Sequence, residues 1–359
     1  MEPLTKEIPF IEKQWREISS RNPMTNDQFN TGLKDFKFSV GQGYGFIPSE
    51  SYFKVELELT VNNAEPTRAS NVTFAEGCVG NMFNNIYFNI GGQNVSSLTT
   101  GIGQCEVLSN RLRKTKAHND TIGKVTGFIP HYKDRLVLST TSAADEIEDE
   151  NSAFTQGRNQ RTFIWRPALG IFDHSKPLGA GEYDIQLNPS QDYILSAIQS
   201  EIDGVTRVVG NGGTQVNLEV MSFRFYACMV RTNVESTGND VLVLHEMSVH
   251  TINVPPGAGN EINEEVSVPS STRAMSVFLQ DARAGKHTGV PPSRFHIAGA
   301  GVGGGAKHEE SALGLKSYQL QYANITKPVT RYPSNHTDVI DGMQQRYVNC
   351  ALESGMFFN

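Results

Sequence analysis

Strict alternation of apolar and polar side chains between positions 53 and 61 constrains the fold of this chain more than any other feature. Phe53, Val55, Leu57, Leu59 and Val61 alternate there with Lys54, Glu56, Glu58 and Thr60. A period of two residues places the apolar set on one face of a β-strand and the polar set on the other. Because a sheet of such strands must bury its apolar face against another layer, the pattern predicts an antiparallel sandwich.

Shorter segments with strand character recur along the chain and favour an all-β fold. They are residues 36–40, 86–90, 162–171, 183–187 and 216–231 in the first part of the chain, and 247–254, 274–279, 294–297 and 315–325 in the second. Gly91-Gly92 predicts a tight hairpin turn, and residues 41–45 with Pro48 predict another turn. Alternation predicts one shared buried face for Met221, Phe223, Phe225, Ala227 and Met229.

The division of the chain follows from the place where these strands are interrupted. Residues 232–240 are polar and contain a glycine, which makes them the strongest linker candidate. We therefore predict two tandem antiparallel β-sandwiches. The predicted parts are an N-terminal arm at 1–30, a first sandwich with long loop insertions at 31–235, and a second sandwich, short or incomplete, at 236–359.

Residues 8–20 predict a short amphipathic helix that ends at Asn22-Pro23. Its apolar side chains recur at helical spacing: Ile8, Ile11, Trp15 and Ile18. Such a helix packs on its own domain, on a neighbouring subunit, or on a lipid surface. Glu12 and Glu17 favour packing on protein, because anionic lipid would repel them.

The charge of the chain argues against direct, sequence-specific binding of nucleic acid. The formal net charge is −7, and no dense block of lysine and arginine occurs. A short helix is predicted at residues 104–116, and its four basic residues are interpreted as a solvated helix end. They are Arg111, Arg113, Lys114 and Lys116.

Neither a membrane span nor a secretory leader is predicted. No run of about 18 apolar residues occurs, and the N-terminus carries no charged-then-apolar leader, so we expect synthesis in the cytosol. The cysteines are widely separated and without CxxC spacing, which predicts free, mostly buried thiols. They are Cys78, Cys105, Cys228 and Cys350.

No motif in the sequence predicts a catalytic, cofactor or metal site, so we expect no enzyme. Gly299 to Gly304 match a GxGxxG string, but the βαβ context of a dinucleotide site is missing, which favours a surface loop. Asp173-His174-Ser175 are consecutive and cannot converge on one reacting atom as a triad does. Residues 139–157 are acidic but lack the ligand spacing of a calcium loop, which predicts an exposed loop.

Several segments resemble the double jelly-roll major capsid proteins of DNA viruses and virus-like mobile elements. Residues 79–96 resemble the family's short apolar segment that leads through an alternating strand into a hairpin, and residues 164–187 follow its pattern of apolar strand, polar turn and alternating strand. Residues 216–231 lie where the first roll closes. Residues 318–328 look like the family's strand before a proline-bearing turn.

The resemblance implies two jelly rolls per subunit, homotrimeric capsomers of pseudo-hexagonal outline, and an icosahedral virion shell. It implies neighbouring capsomers and minor capsid or penton proteins as partners. The family's shells often enclose a membrane, which the arm would contact through Ile8, Ile11, Trp15 and Ile18. Function would then lie in subunit interfaces, and the resemblance implies no catalytic, cofactor or metal residues.

Three other functions remain open from the sequence, one of them a nucleotide-dependent enzyme built around Gly299 to Gly304. A tandem β-sandwich can serve as a binding module that recognises a glycan or a protein through its loops. A penton or spike-base protein of the virion is the second alternative, and it would form pentamers rather than trimers.

Overall fold

The computed structural model describes residues 10–24, 26–64, 72–114, 116–127, 160–200, 216–232, 242–253, 265–272, 275, 320–322 and 325–327. Its strands are β1 (Phe10–Ser19), β2 (Lys34–Val40), β3 (Tyr44–Val61), β4 (Val72–Phe74), β5 (Phe83–Ile90), β6 (Gln93–Leu98), β7 (Gln160–Trp165), β8 (Gly181–Pro189), β9 (Ile198–Ser200), β10 (Val216–Thr232), β11 (Leu320–Tyr322) and β12 (Ile325–Lys327). Its helices are α1 (Asn26–Phe29), α2 (Cys78–Asn81), α3 (Ile102–Arg113), α4 (Lys116–Thr126) and α5 (Tyr193–Ala197), with a 3₁₀ turn at Gly170–Asp173.

Two four-stranded antiparallel sheets form the body of the protein. Sheet 1 has the order β1-β10-β3-β7 and sheet 2 the order β2-β8-β5-β6. The pairing is nested, since β1 pairs with β10, β2 with β8, β3 with β7, and β5 with β6. A long hairpin that is rolled up on itself has this connectivity, which is the jelly roll. The predicted antiparallel sandwich is therefore confirmed for the first part of the chain.

Aromatic rings fill the space between the two sheets. Phe53 of β3 and Phe225 of β10 lie 4.8 Å apart between ring centroids, and Phe83 of sheet 2 stacks on Trp165 of sheet 1 at 5.5 Å. All four side chains are buried. Burial of one such ring stabilises the fold by about 1.5–3 kcal/mol, so this aromatic layer contributes to the cohesion between the sheets.

The predicted N-terminal helix is wrong, because residues 10–19 form the strand β1. Trp15 faces Cys228 of β10 in the ladder, and Ile18 faces Phe225. Residues 12–17 are all exposed, and Ile18 is buried. Pairing along β10 satisfies backbone groups on both strands, a gain that the spacing of apolar side chains does not report. Ile8 and the side chain of Ile11 lie outside the described residues.

A β-bulge in β10 overturns the predicted burial of Met221. The register of β10 against β3 shifts between Val220 and Ser222. The residues that face the main core therefore change from even to odd numbers: Val216, Leu218 and Val220, then Phe223, Phe225, Ala227 and Met229. Met221 lies in the bulge and is 52 % exposed, whereas the rest of the predicted face is buried as expected.

The predicted turn at Gly91-Gly92 is confirmed, whereas the turn predicted at residues 41–45 with Pro48 is shorter than expected. Gly91 and Gly92 form the predicted hairpin turn with φ of 58° and 81°, a left-handed conformation that favours glycine. The turn before β3 ends at Gly43, and Pro48 lies inside β3, where the register against β10 jumps. The helix predicted at 104–116 is confirmed as α3, α4 was missed, and residues 166–171 of the predicted strand 162–171 lie outside any strand.

Most of the predicted second sandwich lies outside the described residues. The described part of the strand predicted at 247–254 forms no ladder, and residues 320–327 contain the short β11–β12 hairpin. The strand predicted at 294–297, the loop predicted at 139–157 and almost all of the strand predicted at 274–279 fall outside the described ranges.

Candidate assembly surface

Sheet 1 presents a solvent-facing surface that mixes charges with aromatic rings. Alternation on β1, β3 and β10 points these side chains away from the core. We call them the outer face: Lys13, Trp15, Glu17, Tyr52, Lys54, Glu56, Arg224 and Tyr226. Tyrosine, tryptophan and arginine are enriched in protein interfaces, whereas lysine and glutamate are depleted there, so the aromatic rings and Arg224 are the parts of this face best suited to contact another protein.

Trp15 is the most exposed aromatic ring on the outer face. It is 48 % exposed, and its indole N–H donates a hydrogen bond to the backbone carbonyl of Glu50 at 3.1 Å. Lys13 forms an ion pair with the Glu50 carboxylate, and its Nζ lies 5.6 Å from the centroid of the Trp15 ring. These contacts hold the ring in one orientation while half of its surface stays in water.

Tyr52 and Tyr226 extend this aromatic surface across the sheet. Their rings stack at 5.4 Å, and the Tyr226 hydroxyl donates to Glu17 Oε2 at 2.9 Å. That hydrogen bond raises the pKa of Tyr226. Arg224 Nε lies 3.7 Å from Glu17 Oε1, so both oxygens of this carboxylate have a partner on β10.

A large bulge in β3 shapes the region below Trp15. In the ladder with β10, Tyr52 pairs with Tyr226 and Ile47 pairs with Cys228, so residues 48–51 of β3 have no ladder partner. The hydroxyl of Ser51 supplies hydrogen bonds there. This hydroxyl accepts a hydrogen bond from the Cys228 N–H and donates one to the Ile47 carbonyl, both at 2.8 Å. Ile47, Cys228 and Val230 form a small buried cluster of their own, which gives sheet 1 a second apolar contact besides the main core.

An extended segment at residues 242–253 runs over the jelly roll next to β6 and the 3₁₀ turn, and we call it the strap. The Ser96 hydroxyl donates to Glu246 Oε1 at 2.5 Å, and the Gly170 N–H donates to Glu246 Oε2 at 3.3 Å. Thr100 Oγ1 donates to the carbonyl of Val249 at 3.2 Å. Four half-buried apolar side chains of the strap pack on the core: Leu242, Leu244, Met247 and Val249.

Three ionisable side chains are buried or half-buried elsewhere in the roll. The Glu106 carboxyl is buried, which raises its pKa to about 8, and it accepts a hydrogen bond from Trp165 Nε1 at 2.9 Å. Burial and the neighbouring Asp184 raise the pKa of Asp35 to about 6. Lys34 is buried, and its Nζ donates to the carbonyls of Pro23, Gln28 and Thr31 at 2.7, 2.7 and 3.2 Å.

Asp173, His174 and Ser175 lie in and just after the 3₁₀ turn. Asp173 ends the 3₁₀ turn, and His174 follows it, where burial lowers its pKa. Gly299 to Gly304 lie outside the described ranges. Among the residues that the structure describes, no three His, Cys, Asp or Glu side chains group as metal ligands do.

Three of the four cysteines are described, and all three are free and buried, as predicted. They are Cys78, Cys105 and Cys228. Burial raises the pKa of each thiol, to about 11 for Cys228. A protonated, enclosed thiol is a poor nucleophile, so these side chains serve packing.

No helix in the described ranges has the length and apolar character that a bilayer crossing requires.

No protein-family model and no curated protein matches the chain. Solved structures similar to it include a chain from the Sputnik virophage, with a TM-score of 0.40, 10 % identity, and coverage of 66 % of this chain and 52 % of that one. The mavirus major capsid protein has a TM-score of 0.36, 10 % identity and coverage of 67 % and 52 %. The Faustovirus major capsid protein has a TM-score of 0.36, 10 % identity and coverage of 65 % and 56 %. The chain thus spans about half the length of the solved chains that it matches.

Proposed function

We propose that this protein is the major capsid subunit of a virion, a structural protein whose activity is self-assembly. The nested strand pairing of β1 with β10, β2 with β8, β3 with β7 and β5 with β6 carries this proposal, because it defines a jelly roll. Viral shells are a principal use of that roll. The sequence resemblance to double jelly-roll capsid proteins adds a second roll and the mode of assembly.

The subunit would consist of a first roll that reaches to about residue 235 and takes its strand β1 from the stretch 1–30 predicted as an arm, and of a second, short roll at 236–359. Two rolls side by side give each subunit two similar lobes, so a cyclic trimer presents six lobes and tiles a hexagonal lattice. Neighbouring capsomers, with minor capsid or penton proteins at special positions, would complete an icosahedral shell. No catalytic step is needed for this activity.

Sedimentation and negative-stain microscopy of the purified full-length chain test this proposal. We expect a trimer at micromolar concentration and particles with a six-lobed outline. A strictly monomeric species up to about 100 µM, a concentration at which even weak specific complexes form, would contradict the proposal. A stable pentamer would instead favour a penton or spike base.

A glycan-binding module is the second candidate, and the half-exposed ring of Trp15 on the outer face favours it. Exposed aromatic rings are suited to stacking on sugars. A glycan array that gives no signal with the wild type would remove this candidate. Binding that is lost in Trp15→Ala would support it.

A further inference from the structure

The outer edge of β1 is an unfinished sheet edge. β1 pairs with β10 on one side, and within the described part of the chain no strand pairs with its other side. Its unpaired N–H and C=O groups form a template for another strand. β1 is ten residues long and contains no proline, so its backbone is free to pair. Its charged side chains and the bulge between Phe10 and Glu12 disfavour indiscriminate pairing, so a partner strand must match its charges.

We propose that β1 pairs antiparallel with β1 of a second copy, about a two-fold axis at Trp15. The proposal rests on the capsid function, since it names the contact between subunits of neighbouring capsomers. Sheet 1 would then continue across the interface from one copy into the next. Strand addition of this kind draws affinity from backbone hydrogen bonds and specificity from the facing side chains.

The order of charges along β1 is compatible with this register. With Trp15 on the axis, Lys13 faces Glu17 of the second copy, and Glu17 faces Lys13 of the second copy. Facing residues must lie on the same face of the sheet, so the nearest alternatives place Arg16 or Gln14 on the axis. The first sets Arg16 opposite Arg16, and the second pairs Glu12 with Arg16 but leaves Lys13 and Glu17 without a charged partner. Facing like charges destabilise a strand pair, and opposite charges stabilise it.

Trp15 supplies a fixed anchor at the centre of the contact. Its indole N–H is already bound to the Glu50 carbonyl, and its ring is half exposed on the outer face. Little side-chain freedom therefore remains to be lost when the two rings meet across the axis. Aromatic residues that are rigid before association are typical centres of protein interfaces.

The charged residues keep capacity for a second partner. The side chains of Lys13 and Glu17 are 35 % and 51 % exposed despite their contacts with Glu50 and Arg224. An ammonium group carries three donors, so Lys13 can bind two carboxylates. One strand edge buries less area than a stable dimer interface requires, but a trimeric capsomer carries three such edges and multiplies the contact.

Charge exchange between separate copies provides the test. Lys13→Glu places glutamate opposite Glu17 at both ends of the contact, and Glu17→Lys places lysine opposite Lys13. Each variant alone should require about tenfold more protein than the wild type to associate beyond the capsomer. A 1:1 mixture of the two should recover wild-type association, because both ends then pair glutamate with lysine.

The mixing step separates this contact from effects inside one subunit. Mixing cannot restore the lost contacts of Lys13 with Glu50 or of Glu17 with Arg224, so recovery must arise between copies. Lys54→Glu is the matched control, because Lys54 lies on the same face and pairs with Glu56 at 2.7 Å, but on the central strand β3. It should associate as the wild type does. Melting temperatures verify that every variant is folded.

Sedimentation velocity over a concentration series measures both the trimeric capsomer and the larger assemblies that capsomers form. Wild-type association that is weakened in each single variant and restored by mixing would support the β1 contact. Single variants that associate normally, a mixture that stays dissociated, or a wild type that never exceeds the trimer would overturn it. A wild type that forms dimers but no trimers, with recovery on mixing, would keep the β1 contact and refute the trimeric capsomer.

Discussion

Trp165 of β7 donates its indole N–H to the carboxyl of Glu106 on α3, at 2.9 Å and away from solvent. This hydrogen bond ties the helical insertion between β6 and β7 to the aromatic core. The acceptor is a carboxyl group that burial keeps protonated to about pH 8, with the nearby Glu76 raising its pKa further. Burial of this carboxyl, which the hydrogen bond from Trp165 only partly offsets, makes the stability of the roll depend on pH.

Glu106→Gln should remove one component of that pH dependence. A carboxyl whose folded pKa is about 8, against 4.5 unfolded, stabilises the fold fully below pH 4.5 and loses this contribution as pH rises through 8. The wild type should therefore lose up to about 1.4 kcal/mol per pH unit relative to Glu106→Gln between those values. Denaturant unfolding at several pH values, followed by tryptophan fluorescence, measures the difference. Glu182→Gln, at an exposed site, should follow the wild type; parallel curves for Glu106→Gln and wild type would refute the prediction.

Asp35→Asn should stabilise the protein at neutral pH. The folded pKa of Asp35 is about 6, because burial and Asp184 oppose its ionisation while Arg21 and Lys37 partly offset them. Its contribution is present below about pH 4 and is lost as pH rises through 6. We expect the variant to gain about 1 kcal/mol at pH 7.5, allowing for solvent screening, and nothing at pH 4. Urea unfolding at both pH values measures the unfolding free energy of Asp35→Asn and the wild type. An equal gain for the variant at both pH values would contradict titration of Asp35 as the cause.

Lys34→Met should destabilise the fold by about 2–3 kcal/mol, because three backbone carbonyls lose their shared donor inside the protein. The loop between β1 and β2 would loosen with it. Lys37→Met is the control, since Lys37 forms a half-exposed ion pair with Glu182 at 3.0 Å and should cost less than about 0.5 kcal/mol. Equal losses of unfolding free energy in the two variants would contradict the role given to Lys34.

The bulge in β10 gives two methionines opposite sensitivities. Met229→Ala removes a buried side chain and should cost about 2–4 kcal/mol, whereas Met221→Ala lies in solvent and should change the unfolding free energy by less than about 0.5 kcal/mol. Urea titration of both variants measures this. A large loss at Met221 would mean that the alternation continues through the bulge without a shift.

Gly170→Ala should displace the strap from the jelly roll and weaken its contacts there. An added Cβ would lie 2.6 Å from the backbone oxygen of His245, so the strap must move. We expect cleavage after Glu246 by a glutamate-specific protease to accelerate about tenfold, with the cut identified by mass spectrometry. Gly181→Ala is the control, because the nearest atom to its Cβ is 3.9 Å away. Unchanged cleavage in Gly170→Ala would show that the strap does not depend on this contact.

The sequence predicted those parts of the fold in which local pattern and tertiary structure agree. Alternation over residues 53–61 placed β3, and the Gly91-Gly92 turn placed the β5–β6 hairpin. Prediction from the sequence failed where the pairing of distant strands outweighs the local pattern of apolar residues. Residues 10–19 have helical spacing but complete a ladder along β10, and Met221 continues an alternation that a bulge interrupts.

The candidate surface was less predictable than the fold. The sequence placed Trp15 on the apolar face of a predicted helix, but Trp15 lies on a strand, and its contact with the Glu50 carbonyl needs a bulge in β3 that no local pattern indicates. Glu106 and Trp165 are 59 positions apart, and neither carries a sequence signal of burial beside the other. The strap at 242–253 overlaps the strand predicted at 247–254, but this segment packs on the roll as extended chain and not in a ladder.

The pairing of the first strand with the last also governs how the chain leaves the ribosome. β1 emerges first, yet its ladder partner β10 ends only at Thr232. At typical rates of synthesis, roughly 10–40 seconds separate the two strands, and non-local pairs of this kind also form slowly. Throughout that interval the nascent chain exposes both edges of β1, so its production in quantity should depend on chaperones that shield them.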